Sequence, residues 1–427
     1  MRKRAASNPA PPALKDILRQ MFELCLISQR SVCENYLRNM LTFYCGTEMT
    51  SLFFCRTARN GARRLAANTF TAAVLLFTLF LYGCGGGSAG SSPNPPSSPS
   101  NPATTLRSLA APHAILIGAA ADSPLLSETN YANVLGSEFS QLQAENEMKF
   151  GLIHPQQGTY DFSGGDALVS FAQAHNMMVR GHTLVWYQEV PDWVTNGGFA
   201  ATDLSNILQD HINTVMGHYA GKVYGWDVVN EAFNDDGTMR DTIWYDQPGI
   251  GFAGQGTKYI EQALQWAHAA DPNAKLFYND YNDETMNVKS DAIYAMAADF
   301  KNRGVPLDGI GFQTHVDLSF DNPNTLASYA SNLQRFAALG LDVHITELDI
   351  RLSDNSTASL NAQAKLYGEL MTMCVQQPRC KVFQTWGFTD KYSWIPGSFP
   401  GMGWALPFDD TYQKKPAYTA ISNALSQ

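Results

Sequence analysis

Basic residues are scarce in most of this chain. Residues 107–427 contain 18 Lys and Arg against 35 Asp and Glu, and the whole chain has a net charge of −10. Nucleic acids and anionic lipid surfaces are bound through clusters of positive charge. The acidic balance therefore excludes a nucleic-acid partner, whereas a neutral polymer such as a polysaccharide remains compatible with it.

Long apolar runs are also lacking. The uncharged run from Phe70 to Tyr82 has 13 residues, which is short for a membrane span and typical of a signal-peptide core. It ends at L-Y-G-C, Leu81 to Cys84, which resembles a bacterial lipobox. We expect export as a cell-envelope lipoprotein, in the periplasm or on the cell surface, with the acyl group on Cys84. Tyr82 is bulkier than the usual lipobox residue, so ordinary secretion and a retained membrane anchor remain alternatives.

The amino-terminal part divides into two predicted segments. Residues 1–84 form the export segment, within which Met49 would open a more ordinary signal peptide. We attach no function to residues 1–48. Residues 85–106 form a linker rich in Gly, Ser and Pro, a composition that is flexible to extended and has nothing to bury. The folded body is therefore predicted to be residues 107–427.

Cysteine is nearly absent from the folded body. Five of the seven cysteines lie at or before position 84, which leaves Cys374 and Cys380. Their close spacing favours a local disulfide in an oxidising compartment, with two buried thiols as the alternative. No second pair of Cys or His with ligand spacing accompanies them. The sequence therefore predicts no zinc site, and we expect neither a metal nor a cofactor.

Short runs rich in β-branched and aromatic residues recur eight times in the body, separated by amphipathic stretches of helical period. The predicted strands are 114–120, 139–146, 178–184, 223–230, 275–281, 309–315, 342–348 and 381–387. Helical stretches include Tyr259 to Ala269 and Ser290 to Lys301. This alternation over about 320 residues predicts an α/β fold, a single (β/α)8 or TIM barrel. A doubly wound open sheet is the alternative, but no Gly-rich phosphate-binding fingerprint supports it.

Polar residues gather at one end of the predicted strands. They lie at or just beyond the carboxyl termini, where barrels of this kind build their active sites. These residues are Glu145, Asn146, His182, Asn230, Glu231, Asp280, Gln313, His315, Glu347, Asp349 and Trp386. So many polar side chains on one rim indicate a functional site rather than structural ion pairs.

Two glutamates end strands that face each other across an eight-stranded barrel. Glu231 ends the fourth predicted strand and Glu347 the seventh. Opposed carboxyl groups serve glycoside hydrolysis, in which one stays protonated to assist the leaving oxygen and the other stays ionised to attack the sugar. Asn230 can donate to a sugar hydroxyl. His315 and Asp349 can hold Glu347 in its charged form; two unrelated acids are the alternative.

The body resembles glycoside hydrolase family 10, the β-1,4-xylanases, over nearly its whole length. The matching motifs are E-N-E-M-K-F (145–150), G-H-T-L-V-W (181–186), W-D-V-V-N-E-A-F (226–233), N-D-Y-N (279–282), G-F-Q-T-H (311–315), I-T-E-L-D-I (345–350) and W-G-F-T-D-K-Y-S-W (386–394). The resemblance implies endo-acting, retaining hydrolysis of xylan or xylo-oligosaccharides, with Glu231 as acid/base and Glu347 as nucleophile. The implied sugar contacts are Asn146, Lys149, His182, Trp186 and Gln313 on the glycone side, with Trp386 and Trp394 as walls around the scissile bond.

Some implied roles have plainer alternatives. Trp186 could belong to the core, and His182 could be a hydrogen-bonded barrel histidine. Tyr281 and Asn282 could lie behind the residues that contact sugar. A retaining barrel hydrolase of β-glucan and a non-catalytic carbohydrate-binding barrel are the competing functions, and the presence of both glutamates argues against the second. We expect the protein to be a monomer.

Two residues depart from the usual family pattern. Phe150 stands where the family usually has Trp, which removes an indole N–H donor near the glycone subsites. Tyr187 follows Trp186 where His is common, and we expect it to replace an imidazole in the packing behind His182. Neither change touches the two glutamates. We therefore expect altered affinity or subsite preference rather than lost activity.

The lipoprotein prediction is tested by Cys84→Ser. If Cys84 is acylated, the wild-type protein should partition into detergent after export, and the variant should be released as soluble enzyme. Detergent phase separation of the two proteins, followed by assay of each phase, makes the comparison. A wild-type protein that stays fully in the aqueous phase after export would remove the lipoprotein assignment.

Overall fold

The computed structural model of the protein describes residues 104–427. The predicted export segment, its Cys84 and the linker up to residue 103 lie outside the described residues. The strands of the described part are β1 Leu116–Ala121, β2 Gln141–Ala144, β3 Met178–Val185, β4 Gly225–Asn230, β5 Lys275–Asp280, β6 Gly309–Phe312, β7 His315–Asp317, β8 Asp342–Arg351 and β9 Cys380–Thr385.

Helices follow or separate these strands. The α-helices are α1 Leu106–Ala110, α2 Thr129–Glu138, α3 Phe150–Ile153, α4 Ser163–Ala174, α5 Asp192–Thr195, α6 Ala201–Tyr219, α7 Lys258–Ala270, α8 Val288–Arg303, α9 Pro323–Ala338, α10 Thr357–Gln376, α11 Ile395–Ser398 and α12 Pro416–Leu425. Single 3-10 turns or short 3-10 helices lie at Ala111–His113, Ser123–Ser127, Leu318–Phe320 and Asp390–Tyr392. Within residues 104–427, no helix has the length and apolar character needed to cross a membrane.

Eight of the strands close into a parallel barrel. Strands β1 to β6 pair in chain order, β6 pairs with β8, β8 pairs with β9, and β9 returns to β1. The closing register sets Leu116 opposite Val382 and Ala119 opposite Thr385. The predicted (β/α)8 barrel is therefore confirmed, and the alternative of an open doubly wound sheet is wrong.

The predicted strand 309–315 is wrong in one respect, because the chain leaves the barrel wall within it. Strand β6 ends at Phe312, and Thr314 takes a left-handed conformation with φ of +65°. A residue in that region cannot continue a strand. The chain then resumes as the short strand β7, which pairs with β8 outside the barrel wall proper.

The seventh barrel strand is longer than predicted. Strand β8 continues to Arg351, so Glu347 lies within the strand rather than at its end. The added length gives β7 a partner, and the register sets His315 opposite Asp349 and Asp317 opposite Arg351. This small parallel pair therefore places His315 of β7 beside the carboxylate of Asp349 on β8.

Helix α8 shows how local chemistry sets the predicted helices. Its start is marked by a capping box, in which the Asn287 side chain accepts from the Ser290 N–H and the Ser290 hydroxyl accepts from the Asn287 N–H. Its end is marked by Gly304 with φ of +73°, a conformation that glycine adopts without strain. The predicted stretch from Ser290 to Lys301 lies inside these two signals.

The barrel interior contains a network of buried amide side chains. Gln384 donates to Oε1 of Gln143 at 2.8 Å and to the backbone oxygen of Thr346 at 2.6 Å. Gln384 also accepts from Gln141, which accepts in turn from the hydroxyl of Tyr224. A buried polar group is costly unless it is paired. The network therefore ties strands from several parts of the barrel at defined spacing beneath the rim.

The predicted disulfide joins Cys374 to Cys380, whose Cα atoms lie 5.2 Å apart. It links the last turns of α10 to the first residue of β9. Both cysteines are buried. The bridge therefore lies in the layer between helix and strand, and the alternative of two separate thiols is wrong.

Phe150, at the start of α3, lies in a buried aromatic cluster. Its ring stacks on His211 of α6 with centroids 3.7 Å apart, while His154 lies 5.4 Å and Trp244 5.5 Å away. Burial lowers the pKa of His154 to about 4 and that of His211 well below its ordinary value. Within the described residues, none of the four imidazole nitrogens has a hydrogen-bond partner. The replacement of the usual family Trp by Phe150 thus affects the packing of this cluster. An effect of the replacement on sugar affinity stays a prediction.

We expect His211→Phe to reduce the loss of stability in mild acid. Since burial lowers the pKa values of both imidazoles in the fold, the unfolded chain binds more protons than the folded chain below about pH 6.5. Stability is therefore present above that pH and is lost as the pH falls toward the folded pKa of His154, about 4. An apolar ring at 211 removes one titrating group, so the fall in Tm between about pH 7 and about pH 5 should be smaller. His268→Gln, at an exposed position of α7, is the control, and a fall equal to wild type in His211→Phe would contradict the expectation.

Candidate active site

The carboxyl-terminal rim of the barrel brings the two predicted glutamates to one site. Glu231 directly follows β4, and Glu347 lies within β8. Both are buried, with 8% and 4% of their surface exposed. Different sets of partners hold the two carboxyl groups, and this difference decides what each can do chemically.

Neutral donors hold the carboxyl group of Glu231. The indole N–H of Trp186 donates to Oε2 at 2.9 Å, while the side-chain amides of Asn230 and Gln313 donate to Oε1 at 3.1 and 2.9 Å. Trp186 is only half-buried, so it is more than a core residue. The predicted residues Trp186, Asn230 and Gln313 therefore meet at one carboxyl group.

Asn279, the next-to-last residue of β5, joins the two glutamates. Its side-chain amide donates to Oε1 of Glu347 at 2.8 Å and to Oδ1 of Asn230 at 2.9 Å, and its oxygen accepts from the Thr346 hydroxyl at 2.7 Å. Its backbone oxygen accepts from the N–H of Glu231 at 2.9 Å. We did not predict Asn279 as a site residue. Its position near the end of a predicted strand was the signal that could have found it.

His315 lies between two acidic side chains. Its Nδ1 is 2.7 Å from Oδ2 of Asp349, and its Nε2 is 3.2 Å from Oε2 of Glu347. Burial acts to lower the pKa of His315, but the negative charges of Asp349 and Glu347 and the hydrogen bonds to them raise it to about 10. At neutral pH His315 is therefore an imidazolium that donates from both nitrogens. The contacts predicted for His315 and Asp349 are present, and the indole of Trp394 also donates to Asp349 at 2.8 Å.

His182 is a buried histidine of the barrel, hydrogen-bonded through Nδ1 to Oδ2 of Asp227 at 3.0 Å. The same nitrogen lies 4.0 Å from Oε1 of Glu347. Asp227 is paired in turn with Arg180, whose Nε donates to it at 3.1 Å. Burial acts to raise the pKa of Asp227, but the charge of Arg180 and the hydrogen bond from His182 hold it below its ordinary value. We predicted neither Asp227 nor Arg180, because both precede the strand ends that carry the sequence signal.

Asn146 and Lys149 lie on the segment that follows β2. The ammonium of Lys149 donates to Oδ1 of Asn146 at 2.8 Å, and the amide of Asn146 donates to Asp122 at 3.0 Å. Lys149 also lies 5.3 Å from the centre of the Trp186 ring and 5.9 Å from that of Trp386. Cations at such distances are attracted to indole faces. Lys149 therefore connects the Trp186 side of the site with the Trp386 side.

The two tryptophans predicted as walls stand beside the histidines. Trp386 packs edge-on against His182 with centroids 5.4 Å apart, and Trp394 packs edge-on against His315 at 4.9 Å. Trp394 is half-buried, and Trp386 is 8% exposed. Aromatic rings offer apolar surface suited to the apolar faces of sugar rings. Both tryptophans therefore lie on the Glu347 side of the site.

Tyr187 lies on the Glu231 side. It packs edge-on against Trp186 with centroids 5.9 Å apart, and the guanidinium of Arg240 lies 4.4 Å from its ring centre. The hydroxyl of Tyr281 accepts from Arg240 at 3.1 Å, and the amide of Asn282 donates to an acid of the neighbouring loop. We did not predict Arg240, which comes nine residues after Glu231 in a segment without a strand or helix signal.

Two buried carboxyl groups on the rim of a closed barrel, joined by amide side chains, place the protein among the barrel glycoside hydrolases. Comparison with protein families gives the particular family. The sequence profile of glycosyl hydrolase family 10 matches residues 105–424. The chain belongs to this family, as its motifs predicted.

Two named relatives match a similar share of the chain. Endo-1,4-beta-xylanase B of Thermotoga neapolitana is 44% identical over 327 residues, which are 75% of this chain and 92% of the relative. Endo-1,4-beta-xylanase C of Phanerodontia chrysosporium is 42% identical over 75% of this chain and 79% of its own length.

Solved structures show the same fold. Native xylanase 10B from Thermotoga maritima is 45% identical with a TM-score of 0.71, and the match covers 75% of this chain and 98% of that one. Xylanase 10B from Thermotoga petrophila, solved in complex with xylobiose, is 43% identical with a TM-score of 0.71, covering 79% of this chain and 98% of that one.

We expect His315→Gln to lower activity and to change the alkaline stability of the protein. The variant removes the cation beside Glu347, and kcat/KM should fall about tenfold or more. In the wild type the folded pKa of His315, about 10, lies above its unfolded value. The stability it contributes is therefore fully present below about pH 6.5 and is lost as the pH rises toward 10.

The check is the slope of Tm between about pH 7 and about pH 9.5, which should be flatter in His315→Gln than in wild type. Asp349→Asn keeps the side-chain shape but removes one charge from the imidazolium, so it should change the slope in the same direction. Unchanged activity together with an unchanged slope in His315→Gln would refute the role of this cation.

Proposed function

We propose that the protein is an endo-1,4-β-xylanase that hydrolyses internal β-1,4-xylosidic bonds of xylan with retention of configuration. Membership of glycosyl hydrolase family 10 supports the proposal. The relatives named above are endo-1,4-beta-xylanases, and one structural neighbour was solved with xylobiose. The substrate is xylan or a xylo-oligosaccharide.

The observation that carries the mechanism is the difference between the two carboxyl environments. Glu347 accepts from His315, an imidazolium, and from the amide of Asn279. Such a setting suits a carboxylate that must stay ionised to attack the sugar. The carboxyl group of Glu231 is held by an indole and two amides, which are neutral, so it can exchange a proton during turnover. We therefore assign Glu347 as the nucleophile and Glu231 as the acid/base.

The reaction then takes two displacements. In the first, a carboxylate oxygen of Glu347 attacks the anomeric carbon, the glycosidic C–O bond breaks, and the leaving oxygen takes the proton of Glu231. In the second, Glu231 takes a proton from water, the water oxygen attacks the same carbon, and the bond to Glu347 breaks. Two inversions return the β configuration, and each glutamate ends in its starting protonation state.

The remaining rim residues bind and orient the sugar chain. Asn146, Lys149, His182, Trp186 and Gln313 form the glycone side, with Trp386 and Trp394 as apolar walls near the scissile bond. Asn230 contacts both Glu231 and Asn279, and Asn279 in turn contacts Glu347. Its side-chain amide therefore lies near both glutamates, where it can donate to a hydroxyl group of the reacting sugar. The hydrogen bond from Nδ1 to Asp227 fixes the orientation of the His182 ring, so that the ring edge away from Asp227 faces the sugar.

We also propose that the enzyme is exported and tethered to the bacterial cell envelope through Cys84, and that it acts as a monomer. The sequence of residues 56–84 supports the first statement, with ordinary secretion as its alternative. A polymeric substrate outside the cell agrees with an exported enzyme.

Glu347→Ala should abolish turnover on every substrate, whereas Glu231→Ala should be selective. The activated leaving group of an aryl xylobioside departs as a phenolate without a proton, so formation of the glycosyl-enzyme survives in Glu231→Ala while its hydrolysis slows. Azide needs no general base and should restore turnover of this variant, giving a β-glycosyl azide.

Wild-type enzyme should release reducing sugar from xylan in preference to carboxymethyl cellulose.

Glu369→Ala is the matched control. Glu369 lies on helix α10 rather than at the carboxyl ends of the barrel strands, so its removal should leave these activities unchanged. Release of α-configured sugar by wild type, observed by NMR, would rule out retention. Equal or greater release from carboxymethyl cellulose than from xylan would instead favour the β-glucan alternative.

A further inference from the structure

Glu231 has an unusual backbone conformation for a residue with a long side chain. Its φ is +57°, in the left-handed region that non-glycine residues seldom occupy. Such conformations cost free energy and persist only where the surrounding structure holds them. The direction in which the carboxyl group points depends on this backbone, so whatever holds the backbone also aims the carboxyl group.

Two contacts hold the peptide groups on either side of Glu231. Its N–H donates to the backbone oxygen of Asn279 at 2.9 Å, a contact between neighbouring strand ends. Its backbone oxygen accepts from Nε of Arg240 at 3.0 Å. The first contact belongs to the barrel wall, whereas the second depends on one side chain from the following loop.

The loop after β4 returns Arg240 to this position. Phe233 and Met239 form an antiparallel bridge, and the Arg240 N–H donates to the backbone oxygen of Ala232 at 2.8 Å. The guanidinium then reaches back along the chain, where Nη2 donates to the Phe233 oxygen at 3.2 Å and to the Tyr281 hydroxyl at 3.1 Å. The planar fork of an arginine suits such a set of acceptors better than a single ammonium would.

Arg240 also contacts the residue beside the indole that binds the carboxyl group. Its guanidinium lies over the Tyr187 ring at 4.4 Å, and Trp186, the preceding residue, donates to Glu231. Arg240 thus touches the loops that follow β3, β4 and β5. Within the described residues its three side-chain hydrogen bonds all end on neutral oxygens, two carbonyls and a phenol. The geometry is that of a clamp on backbone and loops rather than of an ion pair.

We propose that Arg240 is a positioning residue for Glu231, holding its left-handed backbone so that the carboxyl group meets the leaving oxygen. The proposal rests on the assignment of Glu231 as acid/base. Loss of the clamp should slow proton transfer more than it slows attack by Glu347, because Glu347 is held by the side chains of Asn279 and His315 rather than by Arg240. Arg240 acts through the backbone of Glu231 and the neighbouring loops rather than on a reacting atom.

The test compares Arg240→Met and Arg240→Lys on aryl xylobiosides whose leaving groups range from phenol to dinitrophenol. Only the poorer leaving groups need a proton, so kcat/KM should fall about 10- to 100-fold for the phenyl substrate. This loss is smaller than or equal to the lower end of the roughly 10²–10⁴ that general acid catalysis supplies, because the variant misplaces the acid without removing it. For the dinitrophenyl substrate it should fall by less than about threefold. Arg240→Lys keeps the charge but not the fork, so it should show the same selectivity to a smaller degree.

The ratio of rates on two substrates is independent of the fraction of folded enzyme, so reduced stability of a variant does not obscure the result. Arg335→Met is the matched control. Arg335 is also half-buried, lies 4.8 Å from the Tyr294 ring centre and donates to Asn332 at 2.7 Å, but it joins two outer helices. This variant should change Tm without changing the ratio.

The outcomes separate this proposal from the one it rests on. Selective loss on poor leaving groups in both Arg240 variants, with Glu231→Ala more selective still, supports the clamp. Equal loss on all leaving groups, or a fully active Arg240→Lys, overturns it while leaving Glu231 as acid/base. A Glu231→Ala variant that shows no dependence on the leaving group would instead overturn the proposed function.

Discussion

The hydrogen bonds of Asn279 are the constraint on which the site depends. One amide group contacts Glu347 and Asn230, and the backbone of the same residue contacts Glu231. The two carboxyl groups therefore share one reference point on β5, although Glu231 follows β4 and Glu347 lies in β8. Retaining glycosidases need their carboxyl groups at a fixed separation. A shared amide meets that need without a long flexible side chain between them.

The same residue dictates sequence elsewhere in the barrel. A Cβ atom at Gly311 would lie 2.1 Å from Oδ1 of Asn279, which no side chain can tolerate. Gly181 is under a similar constraint from the Trp226 ring, 2.2 Å from the position of an added Cβ. These two glycines belong to the motifs that identify the family. Their presence there follows from the space taken by neighbouring side chains rather than from turn geometry.

The sequence predicted the features of the fold and site that depend on local pattern. It did not predict the residues whose role depends on contacts between distant parts of the chain. The barrel, the two glutamates and the histidine–aspartate support of Glu347 follow from strand periodicity and from motifs at strand ends. Asp227, Arg180 and Arg240 were not predicted because only the folded barrel brings their partners together: Arg180 and Asp227 are 47 positions apart, and Arg240 and Tyr281 are 41 positions apart. The break at Thr314 escaped for another reason, since a threonine carries no local signal for a left-handed conformation.

The link between β6 and β7 is only two residues long, Gln313 and Thr314. Neighbouring residues of a strand point to opposite faces of a sheet. Adding or deleting one residue here would favour a one-residue shift of β7 along β8, and that shift would turn His315 away from Asp349 and Glu347. Loops elsewhere on the rim can vary in length, and so vary the fit to different substrates. This connection cannot vary in length in the same way, because its length sets the position of the His315 imidazolium beside Glu347.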